Sequence, residues 1–167
     1  IPSMHFNTRF LKTSQEWFGG GIDITPALKF NEENRYHSDL EKICNRYDRA
    51  YYSKYRKWCD DYFFLKHRNE ARGIGGIFFD YLQTGDWGKD FEFVQDVGSY
   101  FQNFVKSTLQ ALKDEEWSED DKEIQLRKRS RYAEFNLLYD RGTKFGLETG
   151  GNIDAILMSM PPLAKWD

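Results

Sequence analysis

The chain of 167 residues is 40% apolar and 31% charged, an ordinary composition for a soluble globular domain with a core of its own. Its formal net charge of −3 argues against general nucleic-acid binding, because such binding needs an excess of Lys and Arg to neutralise phosphates. There is no run of about 18 apolar residues, so the sequence predicts no membrane-spanning helix. The aromatic content of 17% is high, and aromatic rings either fill a core or line a wide cavity.

Cysteines and chain ends give little information about function. Cys44 and Cys59 lie in helix-like sequence without the close spacing of a metal site, so we expect two buried free thiols. The first residues, Ile1 to Met4, are neither a signal peptide nor a natural start, which predicts a further segment upstream. No repeat or linker interrupts the chain, and we expect a single domain over residues 1–167.

Residues 4–11 alternate with a period of two, which predicts a strand. One face carries His5, Asn7 and Arg9, and the other carries Met4, Phe6, Thr8 and Phe10. An imidazole, an amide and a guanidinium in a row suit proton transfer and carboxylate binding. The alternative is a polar strand face that simply meets solvent.

Residues 17–26 predict a second strand that contains three consecutive glycines and ends at a proline. Such a glycine run indicates either a bulge or a place where something flat lies against the backbone. Asp23 follows two residues later and is either a ligand acceptor or a surface carboxylate.

The next segment is predicted to be helical over residues 31–45 and from about Asp48 to His67, followed by a buried strand at residues 77–79. Basic and acidic side chains, including Arg72, lie beside several glycines at the junction, which suits an anionic ligand. His5, His37 and His67 are far apart and lack zinc-site spacing, so hydrogen-bonded histidines are the alternative to a metal site.

In the second half we predict a helix from Asp90 to Leu112 and a short capped helix starting near Ser118. Strands are predicted at residues 132–139 and 153–160, with a turn at residues 140–143. Together these elements predict an α+β fold with a large antiparallel sheet flanked by helices on both faces.

Five stretches carry a resemblance to a known family: residues 4–10 (MHFNTRF), 17–26 (WFGGGIDITP), 55–80 (YRKWCDDYFFLKHRNEARGIGGIFFD), 131–146 (RYAEFNLLYDRGTKFG) and 156–166 (ILMSMPPLAKW). They resemble oxygen-dependent coproporphyrinogen III oxidase. The resemblance implies a large curved antiparallel sheet, a homodimer, and conversion of two propionates of coproporphyrinogen III to vinyl groups. Dioxygen is the implied co-substrate, and protoporphyrinogen IX, carbon dioxide and hydrogen peroxide are the implied products.

The resemblance also implies roles for particular residues. His5 matches a proton donor, and Asp23 matches an acceptor for the pyrrole N–H groups. Arg9, Arg72 and Arg141 match propionate ligands, because a guanidinium keeps its charge as each propionate leaves. Further implied substrate contacts are Asn7, Thr8, Asp140, Gly150 and Gly151, although Asn152 stands where many members carry arginine.

The resemblance leaves the metal question open, because His37 and His67 match positions that bind a divalent metal in bacterial members while the family is also described as cofactor-free. We favour no obligatory metal or organic cofactor. A cytoplasmic location is expected for a bacterial protein, and a mitochondrial one for a eukaryotic protein. The chain lacks the family's N-terminal segment and C-terminal tail, so the alternative function is a tetrapyrrole-binding protein, or an inactive fragment, without catalysis.

Overall fold

A computed structural model describes residues 1–166. In chain order the elements are β1 (Ser3–Lys12), β2 (Glu16–Thr25), α1 (Glu33–Asn45), α2 (Tyr51–Tyr62), β3 (Phe64–Leu65), β4 (Glu70–Ala71), β5 (Gly75–Leu82), α3 (Trp87–Leu112), α4 (Glu119–Leu138), α5 (Arg141–Glu148) and α6 (Ile153–Ile156). Mixed helices and an antiparallel sheet confirm the predicted α+β class. Over these residues no helix is both long and apolar enough to cross a membrane.

The main sheet of the described chain has three antiparallel strands in the order β1-β2-β5. Strands β1 and β2 form a hairpin in which His5 lies opposite Asp23. Strand β5 pairs with the other edge of β2, and the register shifts between Phe18 and Gly20. The pairing is therefore irregular at the glycine run, with Asp80 and Tyr81 of β5 opposite Gly19 alone.

One face of this sheet is buried under α1, α2 and α3, and its core is dominated by aromatic and branched side chains. Phe6 of β1 packs on this side, where its ring lies against Phe101 and fits over Gly98 of α3. The alternation predicted for residues 4–11 is thus confirmed, since the odd-numbered residues face the other way. Cys44 and Cys59 are buried free thiols, as predicted.

The opposite face of the sheet is covered in part by the β3–β4 hairpin and the C-terminal half of α4. Phe63, at the end of α2, packs against Phe135 of α4 with ring centroids 5.0 Å apart. Helices thus lie on both sides of the sheet, and the gap left on this second side is the cleft described below.

Two predicted helix boundaries were wrong. Helix α2 ends at Tyr62 and not at His67, because Asn69 adopts a left-handed conformation (φ 53°) that turns the chain into a short hairpin. Helix α3 begins at Trp87, capped by the Asp86 carboxylate, which accepts the Lys89 N–H at 3.0 Å.

The two predicted C-terminal strands were also wrong. Ser118 and Asp121 form the predicted capping box, but helix α4 continues to Leu138 and includes most of the stretch predicted as a strand. Residues 153–156 form the short helix α6, and residues 157–160 are not strand. In the first place the apolar run belongs to a long helix, and in the second it forms one helical turn that packs against α5.

The three glycines of β2 are explained by close packing of the protein's own flat groups. A Cβ on Gly19 would lie 2.9 Å from Nε of Arg9, and one on Gly21 would lie 3.2 Å from the ring of Phe78. A Cβ on Gly20 would lie 2.7 Å from the Asn7 carbonyl oxygen. The guanidinium and the ring therefore occupy the space that a side chain on β2 would need.

Candidate functional site

A cleft of about 380 Å³ opens between the polar face of β1 and β2 and the C-terminal helices. This volume lies in the range of small-molecule sites. Five of the predicted residues line it or form its floor: His5, Asn7, Asp23, Arg72 and Asp140. The cleft thus brings together residues that are up to about 130 positions apart in the chain.

Asp23 is the centre of a charged cluster at the bottom of the cleft. Its Oδ2 accepts a hydrogen bond from Nδ1 of His5 at 3.2 Å and forms an ion pair with the guanidinium of Arg72. The side chains of Asp23 and Arg72 are only 6% and 4% exposed. Because strand pairing sets His5 directly opposite Asp23, the hairpin itself aligns the acid and the imidazole.

Electrostatics keep Asp23 ionised. Burial alone would raise the pKa of Asp23, but the Arg72 guanidinium and the hydrogen bond from His5 outweigh it, so the pKa lies below its usual value. An ionised Asp23 only accepts hydrogen bonds, so Nδ1 of His5 is the donor in this pair. The cluster therefore presents a fixed acceptor beside a group that exchanges protons.

Arg72 is held by aromatic rings as well as by Asp23. Its guanidinium carbon lies 3.8 Å from the ring centroid of Phe63, 4.9 Å from that of Phe135 and 5.2 Å from that of Tyr132. Cation–π contacts of this kind stabilise a charge that has left water. The structure thus gives Arg72 a partner, Asp23, in place of the free guanidinium expected for a propionate ligand.

Arg9 lies on the same face of β1 but does not line the cleft. Its guanidinium forms a 2.8 Å ion pair with Asp80 and rests 5.5 Å from the ring centroid of Phe78. Thr8 is exposed and belongs to the opposite face of the strand. Of the three neighbours predicted around His5, only Asn7 therefore lines the cleft.

The predicted residues of the C-terminal segment divide in the same way. Asp140 lines the cleft and caps α5, where its Oδ2 accepts the Thr143 N–H at 2.7 Å. Arg141 follows at the start of α5, with its guanidinium 5.2 Å from the ring centroid of Tyr62. Gly150 and Gly151 end α5 outside the lining of the cleft.

The histidines considered as metal ligands lie in separate hydrogen-bond clusters. Nε2 of His37 donates to the Ile74 carbonyl at 2.9 Å, and its Nδ1 accepts from the Tyr52 hydroxyl at 3.1 Å. His67 contacts Tyr139 and Glu134 through its two nitrogens at 2.8 and 2.7 Å. Both nitrogens of each ring are engaged, so this arrangement does not fit a shared metal ion. Within residues 1–166 no group of three His, Cys, Asp or Glu side chains is placed to hold one.

Sequence reasoning missed several residues of the cleft wall. Tyr132 stacks on His5 with centroids 5.2 Å apart and planes 14° apart, and Asn136 lies one helical turn further on. Both were hidden in the stretch predicted as a strand. Their signal was the spacing of four between Tyr132, Asn136 and Asp140, which places all three on one face of a helix.

An enclosed carboxylate held by arginine, an imidazole beside it and an aromatic wall define a binding site for a ligand with N–H donors. The family model for coproporphyrinogen III oxidase matches residues 1–167, and the chain belongs to that family.

The chain is 53% identical to oxygen-dependent coproporphyrinogen-III oxidase of Rickettsia bellii (strain OSU 85-389) over 171 residues, covering 99% of this chain and 60% of that protein. It is also 53% identical to the protein of the same name from Rickettsia akari (strain Hartford) over 172 residues, covering 100% of this chain and 60% of the relative. The chain thus spans about 60% of the length of these curated relatives.

Proposed function

We propose that this protein converts two propionates of coproporphyrinogen III to vinyl groups with dioxygen as the oxidant, giving protoporphyrinogen IX in haem biosynthesis. The observation that carries the proposal is the His5–Asp23–Arg72 cluster on the floor of an aromatic-walled cleft. Membership of the family and the name of the relatives, oxygen-dependent coproporphyrinogen-III oxidase, support the same reaction.

The substrate and the cluster are chemically complementary. A reduced tetrapyrrole offers pyrrole N–H donors, and the ionised Asp23 is an acceptor that Arg72 holds in place. Because both side chains are buried, the acceptor is already desolvated and oriented before the substrate arrives. Arg141, at the start of α5, is a candidate ligand for a substrate propionate near the cleft. Arg9, two residues after Asn7 on β1, is a second candidate ligand for a propionate.

Each decarboxylation removes two electrons from the substrate. The propionate carbon next to the pyrrole loses a hydrogen with its electron pair, and the bond to the carboxylate breaks so that its electrons complete the vinyl double bond. Carbon dioxide leaves, and dioxygen takes up the hydrogen, its electron pair and one proton to become hydrogen peroxide. His5, whose Nδ1 donates to Asp23 and which lines the cleft, is the residue placed to exchange a proton with the substrate through its other ring nitrogen.

No metal or organic cofactor is part of this proposal, since the substrate itself supplies the electrons and dioxygen accepts them. A homodimer is part of it, and large apolar side chains on α4 to α6 support an interface: Leu137, Leu138, Phe145, Leu147 and Ile153 are all between 45% and 68% exposed. We also propose a cytoplasmic location, because the relatives named above are bacterial proteins.

The test is to incubate the purified protein aerobically with coproporphyrinogen III and follow protoporphyrin fluorescence after oxidation of the products. We expect vinyl product from the unmodified protein and from Asp39→Ala, a surface carboxylate variant, but not from His5→Ala or Asp23→Ala. Tight binding of the substrate without vinyl product would instead favour a tetrapyrrole-binding protein. Unchanged activity of Asp23→Ala would remove Asp23 from the site.

A further inference from the structure

Helix α4 supplies one wall of the cleft through Tyr132, Asn136 and Asp140. Successive steps of four residues place these side chains in a line along one face of the helix, although Asp140 lies just beyond its end at the cap of α5. The three therefore line the same cleft.

Two of the three side chains already have partners that fix them. The ring of Tyr132 stacks on His5. Both oxygens of Asp140 accept hydrogen bonds, Oδ1 from the Tyr62 hydroxyl at 3.0 Å and Oδ2 from the Thr143 N–H at 2.7 Å. Tyr132 and Asp140 thus shape the wall and join it to neighbouring elements.

Asn136 differs from both. Its side chain is 7% exposed, and its amide nitrogen Nδ2 is buried without a hydrogen-bond partner among residues 1–166. Leaving a buried amide donor unpaired costs about 1–3 kcal/mol, and such groups are rare in folded proteins. The unpaired amide of Asn136 lies in the wall of a cleft, so a bound ligand that supplies the missing acceptor would remove this cost.

The charges around Asn136 indicate which acceptor this is. Among residues 1–166, Arg72 is the only arginine or lysine that lines the cleft; Asp23 pairs with its charge, but its Nε has no hydrogen-bond partner. A ligand carboxylate that enters here therefore finds two buried donors without partners, Nε of Arg72 and the amide N–H of Asn136. A hydrogen bond to a charged acceptor is also stronger than one to a neutral acceptor.

We propose that Asn136 is a specificity-determining residue whose amide N–H donates to one carboxylate arm of the tetrapyrrole. The inference rests on the proposed function, because it assumes that the ligand of the cleft is a tetrapyrrole polycarboxylate. It assigns to α4 a direct contact with the substrate, beside the roles of β1 and β2.

The test is a titration of the purified protein with coproporphyrin III, the stable oxidised tetracarboxylate, followed by quenching of tryptophan fluorescence. Asn136→Ala and Asn136→Leu should each raise the Kd about tenfold, the loss expected for one hydrogen bond to a charged group. Asn103→Ala, which removes an exposed asparagine from helix α3, is the matched control and should bind like the unmodified protein.

A stability measurement separates a ligand contact from a structural role. Leu has nearly the shape of Asn and no unpaired donor, so Asn136→Leu should unfold at the same or a higher urea concentration while it binds the porphyrin less tightly. Variants that bind coproporphyrin III as tightly as the unmodified protein would overturn the inference, as would a loss of binding that only follows a loss of stability. If the unmodified protein does not bind coproporphyrin III, the inference fails, whereas the proposed function is decided separately by the formation of vinyl product from coproporphyrinogen III.

Discussion

Replacing Arg72 by methionine should destabilise the protein by removing the partner of Asp23 while leaving that carboxylate buried. Both side chains of the pair are at most 6% exposed, so solvent screens the pair very little. Breaking a buried ion pair by removing one partner costs about 3–5 kcal/mol. At about 2–4 °C per kcal/mol for a domain of this size, the melting temperature should fall by roughly 6–20 °C.

The pH dependence makes this prediction specific. In the unmodified protein the pKa of Asp23 is lowered in the folded state, so its contribution to stability is full above the unfolded pKa of about 3.9 and is lost as the pH falls through the folded value. In Arg72→Met, burial without the guanidinium favours the neutral acid. The difference in unfolding free energy between the two proteins should therefore be large at pH 7 and shrink towards pH 4.

The assay is urea unfolding followed by circular dichroism at pH 7 and at pH 4.5, with the double variant Asp23→Asn/Arg72→Met as control. The double variant has no buried charge left at this position, so at pH 7 it should be more stable than Arg72→Met alone. A cost below about 1 kcal/mol for Arg72→Met, or a double variant whose loss equals the sum of the two single losses, would refute the buried-pair argument.

Three further predictions concern packing, the C-terminal segment and assembly. A Cβ on Gly76 would overlap the Ile22 carbonyl, so Gly76→Ala should lower the free energy of unfolding by about 1–3 kcal/mol. Gly88→Ala, in the first turn of α3, should not lower it. Chemical denaturation of the two variants measures the difference. The pKa of Glu134 is lowered to about 2, chiefly by hydrogen bonds from Arg68 and further by those from His67 and Trp166. Burial of the carboxylate offsets part of this effect. Glu134→Gln should therefore cost about 1–3 kcal/mol at pH 7, and thermal unfolding should show that the difference disappears as the pH falls from about 4 towards 2. Phe145 is 68% exposed, and Phe145→Glu should shift the proposed dimer to monomer in sedimentation velocity; an unchanged sedimentation coefficient would place the interface elsewhere.

The sheet was predictable because its signals are local. Alternation placed β1 and the two faces of its side chains, and the glycine run marked the place in β2 where the pairing with β5 becomes irregular. The pairing of His5 with Asp23 was not predictable from the sequence, because the register of the two strands depends on the length of the hairpin turn that joins them.

The wall of the cleft was not predicted because its sequence is ambiguous. The run from Tyr132 to Tyr139 has the length and the aromatic content of a strand, and its spacing of four fits a helix as well. Packing of Phe135 against Phe63 and Arg72 favours the helix. The partners of the arginines were also invisible in the sequence. Arg9 pairs with Asp80 and Arg72 pairs with Asp23, and in each pair the two residues are far apart in the sequence. The sequence alone therefore could not show that these guanidiniums already have partners.

The most direct measurement of the account is mass spectrometry of the tetrapyrrole after aerobic incubation of coproporphyrinogen III with the unmodified protein and with Asp23→Asn. Asparagine keeps the shape of Asp23 but loses the charge that Arg72 and His5 hold in place. We predict a product with two vinyl groups in the first sample, none in the second, and none in the first when dioxygen is removed. Formation of the divinyl product by Asp23→Asn at the rate of the unmodified protein would contradict the account.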